Sequence, residues 1–221
     1  MSLWIKICAN TSLEDAMVAA EAGADAVGFV FAPSPRRVTA EQAAAIVPRL
    51  PAKIEKIGVF VDAAFDEIVA TVEAAALTGV QLHWATPIEV RPKLRARFGR
   101  RLRIIDVVHF QEVAQGGAPA LAFNTDADAL VVDSRTATAV GGTGQTYDWE
   151  MARQTIFLTS LQTKLIAAGG LTPENVAEAI AVLRPWGVDV VSGVEAAPGR
   201  KNAAKVRAFI ENARGAKVSG P

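Results

Sequence analysis

The chain has 221 residues, 51% of them hydrophobic and 21% charged, and its 23 basic and 23 acidic side chains cancel. That composition excludes a disordered polypeptide, and the zero net charge gives no field to gather nucleic acid or an anionic membrane surface. A single cysteine, Cys8, excludes an internal disulfide framework and any multi-cysteine metal site.

The segment Met1–Lys6 has no basic stretch leading into a long apolar run, and no later apolar run reaches the ~18 residues of a bilayer span. A cytoplasmic protein without membrane contacts is the expectation. The first predicted strand is Trp4–Cys8. Its alternation turns Ile5 and Ile7 to one face and Lys6 and Cys8 to the other, and the isoleucines suit a helix-covered side. Lys6 and Cys8 then point inward, where a nearby ammonium favours the thiolate form of a cysteine. A lone buried cysteine is also an ordinary small hydrophobe. Thr11 or Ser12 with Glu14 opens a helix over Ser12–Ala22 that stops at Gly23, and a strand follows at Ala26–Val30. Pro33-Ser34-Pro35-Arg36-Arg37 then offers Arg36 to a substrate carboxylate.

Thr39 and Gln42 open a helix over Ala40–Leu50, and a strand is predicted at Lys56–Phe60, then a helix at Ala64–Ala75 with its stop at Gly79. The strand Val80–Leu82 leads into His83, with Gln81 and His83 sharing the interior side. A helix at Pro87–Phe98 carries a basic run read as a solvated face, because it lacks interleaved aromatics. The strand Leu102–Val107 follows, with His109 beyond it and a short helix after Phe110. Two histidines without a carboxylate cluster predict no metal site.

The strand Ala129–Val132 delivers Asp133 inward at the rim, although an aspartate there also suits a loop or helix cap. Ser134–Tyr147, containing Gly141-Gly142-Thr143-Gly144, reads as a long cover loop. Helices are predicted at Trp149–Gln154, at Pro173–Leu183 behind Thr172, and at Asn202–Ala213; strands lie at Leu165–Ala168 and Val188–Val191. After the last two strands come Gly169-Gly170 and Ser192-Gly193. Backbone amides at such glycine turns, with the N-terminus of a short helix after strand eight, form a phosphate cradle.

Strands alternating with helices throughout predict an α/β fold, a single (β/α)8 TIM barrel over residues 1–214 with a polar tail at 215–221. An open doubly wound sheet is the alternative that fits the count less well. In such a barrel the chemistry sits at the carboxyl ends of the strands, where a cysteine and an aspartate face one another in outline as an acid–base pair.

Taken in order, these motifs resemble the phosphoribosylanthranilate isomerase family over nearly the whole chain. The resemblance rests on Lys6-Ile7-Cys8, Gly28-Phe29-Val30-Phe31 with Ser34-Pro35-Arg36, Gly58-Val59-Phe60-Val61 and Val80-Gln81-Leu82-His83. It continues through Asp133-Ser134, Gly141–Gly144 leading to Asp148-Trp149, Ala168-Gly169-Gly170-Leu171, Val188-Asp189-Val190 and Ser192-Gly193-Val194-Glu195. The resemblance implies an Amadori rearrangement of N-(5′-phosphoribosyl)anthranilate in tryptophan biosynthesis, without metal or organic cofactor. It implies Asp133 as general acid, Cys8 as general base, Arg36 on the anthranilate carboxylate, and Gly169, Gly170, Ser192 and Gly193 on the phosphate. Gln81 and His83 would complete the substrate site of a monomer or homodimer. The chain departs from the family at Ala9-Asn10-Thr11, where Gly-Ile-Thr is usual, and at Trp84, where glycine is usual. Asp106 stands at a common lysine position and Val191 at a common serine. An inward Asp106 would raise the pKa of neighbouring acids. The competing readings are a related aminoaldose isomerase, expected to have aspartate at the Cys8 position, and a sugar-phosphate-binding barrel without turnover.

Overall fold

In the computed structural model, residues 2–83, 85–111, 126–134, 146–157 and 163–216 are described. Eight parallel strands close on one another in sequence order: β1 (Trp4–Ile7), β2 (Ala26–Val30), β3 (Glu55–Phe60), β4 (Gly79–Leu82), β5 (Arg103–His109), β6 (Ala129–Asp133), β7 (Leu165–Ala167) and β8 (Gly187–Val190). The ring is sealed where β1 pairs with β8, Lys6 against Asp189. Helices α1 (Leu13–Glu21), α2 (Ala40–Ile46), α3 (Phe65–Ala74), α4 (Val90–Phe98), α5 (Trp149–Ala152), α6 (Val176–Leu183) and α7 (Ala203–Gly215) lie along the chain between or after them. The (β/α)8 architecture is therefore the one read from the alternation, and the open sheet is excluded by the β1–β8 pairing.

Two separate apolar cores follow from the two faces of the strands. Ile5, Ile7, Val80, Leu82, Ile104, Val132 and Val188 pack outward against helix residues such as Ile68, Leu94, Ile180 and Phe209. Trp4, Ile57, Ile105, Val107, Val131 and Ile166 fill the barrel interior. At the amino ends of the strands, Trp4 stacks on Trp186 at 5.2 Å. Lys164 and Arg103 lie over the Trp186 ring at 4.9 and 5.6 Å.

The locally coded helix starts form as read. Ser12 accepts from the Asp15 amide, and Thr39 and Gln42 make a reciprocal capping box. Other boundaries move. α4 begins at Val90 rather than Pro87, and α6 begins at Val176 because Thr172 first accepts from the Glu174 amide in a turn. Gly79 does not end a helix; it is the first residue of β4, packed under Ile57 and Arg103. Strand β5 runs on to His109, which is therefore inside the sheet and not beyond it. α7 continues through Gly215, the first residue assigned to the tail. The expected helix after Phe110, most of the Ser134–Tyr147 loop, Trp84 and residues 217–221 lie outside the described residues.

Ala9 shows what the lost glycine costs. It sits at φ 61°, in the left-handed region, buried directly after Cys8. A non-glycine residue there carries about 1–2 kcal/mol of strain. Ala9→Gly is expected to stabilise the protein by about 1 kcal/mol in chemical denaturation, once glycine's larger unfolded-state entropy is subtracted. No gain would show that the surrounding turn has relaxed to suit alanine.

Candidate active site

The barrel's polar centre is built by β1, β4 and β8. Lys6 is fully buried, and its Nζ donates to Gln81 Oε1 and to Asp189 Oδ2, both at 2.7 Å. Lys6 and Cys8 share the inward face, as the alternation predicts. Above the ammonium, the Cys8 sulfur fills the side-chain volume that Gly28 leaves empty; a Cβ on Gly28 would lie 2.5 Å from Sγ. Burial works against the Lys6 charge, but Asp189 and Cys8 outweigh it and hold the ammonium above its usual pKa. Burial also pushes the Cys8 thiol up; Lys6 pulls it down, and Asp189 pushes it up again. The expectation that Lys6 yields a low-pKa thiolate is thus corrected. The charge of Lys6 is already committed to Asp189, and the loss of solvent prevails.

A pocket opens beside this centre at the carboxyl ends of β6, β7 and β8, lined by Asp133, Ser134, Gly169, Gly170, Asp189 and Ser192 among others. Asp133 ends β6 on the inward face, half-buried. Gly169 and Gly170 hold φ 84° and 67°, a backbone that exposes amides and that L-side chains resist. A Cβ on Gly193 would clash with the Leu171 carbonyl oxygen, so the β7 and β8 turns are pressed together only because that side chain is missing. The expected helix after β8 is a three-residue 3-10 turn, Ser192–Val194, leading into a hairpin of β9 (Glu195–Ala197) and β10 (Arg200–Lys201). Val191 and Ser192, at the start of that turn, line the pocket.

The β2 loop delivers Arg36 to the same end, but into a buried clamp. Glu195 accepts from Arg36 Nε at 2.8 Å and from Nη2 at 2.7 Å, and also from the Gly199 amide and from Lys201 Nζ. Burial would raise the Glu195 carboxyl, yet Arg36 and Lys201 hold it below the usual range. Glu195 and Asp189 are site residues that inspection of strand ends alone did not single out. For Asp189 the signal was present: an aspartate between two outward valines must point inward, beside Lys6.

On the far side of the mouth stand two histidines. His83 follows β4, half-buried, with its ring 6.0 Å from that of His109. His109 is 4% exposed, and its Nδ1 has no hydrogen-bond partner among the described residues. Asp106 does not enter the site. It shares the outward face of β5 with Ile104 and Val108, where Arg91 of α4 meets it at 2.6 Å with both side chains fully buried. Asp106 is therefore not among the charges that act on Cys8.

Residues 5–212 match the family model described as N-(5′-phosphoribosyl)anthranilate (PRA) isomerase. The N-(5′-phosphoribosyl)anthranilate isomerase of Geobacter sulfurreducens is 42% identical over 212 residues, covering 96% of this chain and 98% of the relative. The crystal structure of phosphoribosyl anthranilate isomerase from Thermotoga maritima superposes with a TM-score of 0.84 at 37% identity, covering 96% of this chain and 99% of that one. A phosphoribosyl anthranilate isomerase crystallised with reduced 1-(o-carboxyphenylamino)-1-deoxyribulose 5-phosphate superposes with a TM-score of 0.80 at 35% identity, covering 96% and 99%.

Proposed function

The chain belongs to the N-(5′-phosphoribosyl)anthranilate isomerase family of tryptophan biosynthesis, and on that premise we propose that Cys8 and Asp133 carry out its acid–base chemistry. The observation that supports this assignment is their placement: both are inward residues at the carboxyl ends of their strands, on the rim that also holds the glycine turns.

In this reading, Asp133 gives its proton to the ribose ring oxygen as the C1′–O bond breaks and the nitrogen lone pair forms a C=N bond. The Cys8 thiolate then takes the C2′ proton, and that electron pair forms the C1′–C2′ double bond and neutralises the nitrogen. The 2′-hydroxyl proton restores Asp133 and the proton on Cys8 passes to C1′, so the isomerisation closes without net proton change. The amides around Gly169, Gly170, Ser192 and Gly193 hold the phosphate. Glu195 fixes Arg36 through Nε and Nη2, and we assign the remaining Nη1 to the anthranilate carboxylate. His83 lines the mouth, and Gln81 bears on the site through its bond to Lys6. No helix among the described residues is long and apolar enough to cross a membrane; we place the enzyme in the cytoplasm, where its amino-acid pathway runs.

Turnover of N-(5′-phosphoribosyl)anthranilate by the purified protein tests the reading, and a rate no faster than the spontaneous rearrangement would overturn it. The pH profile tests the base. The reactive form needs an ionised Cys8 together with a protonated Asp133, so kcat/KM should not simply rise with pH; the limb that the Cys8 thiol sets, pushed up by burial, should lie above the ordinary thiol value of 9.0. Lys6→Met removes the cation that most lowers the thiol, and leaves Asp189 unpaired beside it. The limb should move further up, with about tenfold or more lost at pH 7. An unmoved limb would show that Cys8 is not the titrating base.

A further inference from the structure

Residue order around the rim can be compared with bond order in the substrate. The phosphate turns follow β7 and β8, and Asp133 ends β6. The next strand away from the phosphate is β5, whose last residue, His109, lies directly opposite Asp133 in the β5–β6 register. Its parity is that of Ile105 and Val107, both inside the barrel, so the imidazole faces the mouth. In the substrate, C5′ carries the phosphate, the ring oxygen is the atom that Asp133 protonates, and the following atom, C1′, carries the exocyclic nitrogen of the aromatic amine.

His109 holds a buried nitrogen that bonds to none of the described residues. Nδ1 has no hydrogen-bond partner among them although the residue is 4% exposed. An orphaned polar atom of this kind destabilises the free protein, and that cost is recovered only if a ligand supplies the missing partner. The neighbouring Phe110, which stacks at 5.0 Å on Tyr147, has the opposite parity and belongs to the outer, helix-facing core, so on the inward face of β5 His109 stands alone above Val107 and Ile105. The inward face of β5 is thus apolar with one polar atom set at its end, which suits an aryl amine better than a sugar hydroxyl cluster.

We infer that His109 is a substrate-contacting, specificity-determining residue whose Nδ1 accepts a hydrogen bond from the exocyclic N–H of the arylamino-sugar phosphate. The inference rests on the Asp133 assignment above. When ring opening places positive charge on that nitrogen, the bond becomes charge-assisted and tightens, so His109 contributes more to the reacting state than to the bound substrate. The neutral imidazole carries its proton on Nε2 in this arrangement.

The test compares His109→Phe, which keeps a planar ring, with His109→Asn, which keeps a polar atom near the Nδ1 position. His109→Phe is expected to lower kcat/KM about tenfold, mostly in kcat, and to weaken the reduced product analogue, which retains the N–H, about tenfold. Affinity for ribose 5-phosphate, which has no aryl amine, should stay within about twofold, and His109→Asn should recover most of the loss. Equal weakening of both ligands would mark a general packing role and overturn the inference, as would native kcat/KM in His109→Phe. An analogue lacking the ortho-carboxylate should show the same native-to-variant ratio. A ratio that falls to one without that carboxylate would move the contact to the carboxylate and sink the N–H assignment. Because these are binding comparisons, they stand apart from the Asp133 assignment, which fails separately if Asp133→Asn turns over normally.

Discussion

Cys8→Ser and Asp133→Asn should each lower kcat by about 10²–10⁴-fold while leaving the affinity for the reduced product analogue within about threefold. The two substitutions are chosen because each preserves shape. Serine places a hydroxyl in the hollow beside Gly28, but an alcohol ionises far less readily than a thiol and cannot take the C2′ proton at a useful rate. Asparagine keeps the hydrogen-bonding outline of Asp133 and has no proton of carboxylic acidity to give. Retained analogue binding shows that the phosphate turns and the Arg36 clamp are intact. The steps are also separable, since an Asp133→Asn enzyme cannot open the ring, whereas Cys8→Ser should open it and stall before the C2′ proton leaves. Near-native turnover in either variant would overturn the acid–base assignment.

Arg91→Ala should be strongly destabilising, costing about 3–5 kcal/mol, although its place in a basic run suggests a surface residue. In sequence Arg91 belongs to a basic run on a helix, yet it is among the largest fully buried side chains, and its Nε meets Asp106 Oδ1 at 2.6 Å. Its Nη1 also donates to the Thr86 and Pro87 carbonyl oxygens, which ties the start of α4 to β5. Removing it strands an aspartate between helix and sheet with no solvent to take the charge. For a domain of this size the loss corresponds to a fall in Tm on the order of 10 °C. Replacing both partners, Arg91→Met with Asp106→Leu, should recover most of the stability, because the desolvation cost disappears along with the attraction. Folded protein of either type should keep native kcat, since the pair lies outside the barrel. A changed kcat in the double variant would show that β5 transmits this contact to the site.

That pair also marks where the sequence stops being legible. β1 announces its orientation, because isoleucines and polar residues alternate strictly in Ile5-Lys6-Ile7-Cys8. β5 does not. Ile104-Ile105-Asp106-Val107-Val108 is apolar on both faces, as a barrel strand buried on both sides must be, so nothing local tells Asp106 which way to turn. The partner that settles it is 15 residues away on a helix whose other cations are mostly solvated. The same ambiguity hid the end of the strand, so His109 read as a loop residue. Capping signals at Ser12 and Thr39 were recoverable because both partners lie within one helical turn. The Arg36–Glu195 clamp was not, since it spans 159 residues and neither side chain has a local reason to be buried. Motif order therefore found the rim residues, and only packing could say what each holds.

The paired indoles at the opposite end of the barrel give the catalytic centre a one-way character. Trp4 and Trp186 lie face to face beneath Lys6 and Asp189, with two cations resting on the lower ring, so that end is corked. A hydron reaching the thiol or the ammonium then has the carboxyl-end rim of Asp133 and the glycine turns as its approach, on the same side as the ligand. An occupied doorway thus isolates the sulfur from bulk water for the life of the complex, and the proton lifted from carbon stays at hand until it is handed back.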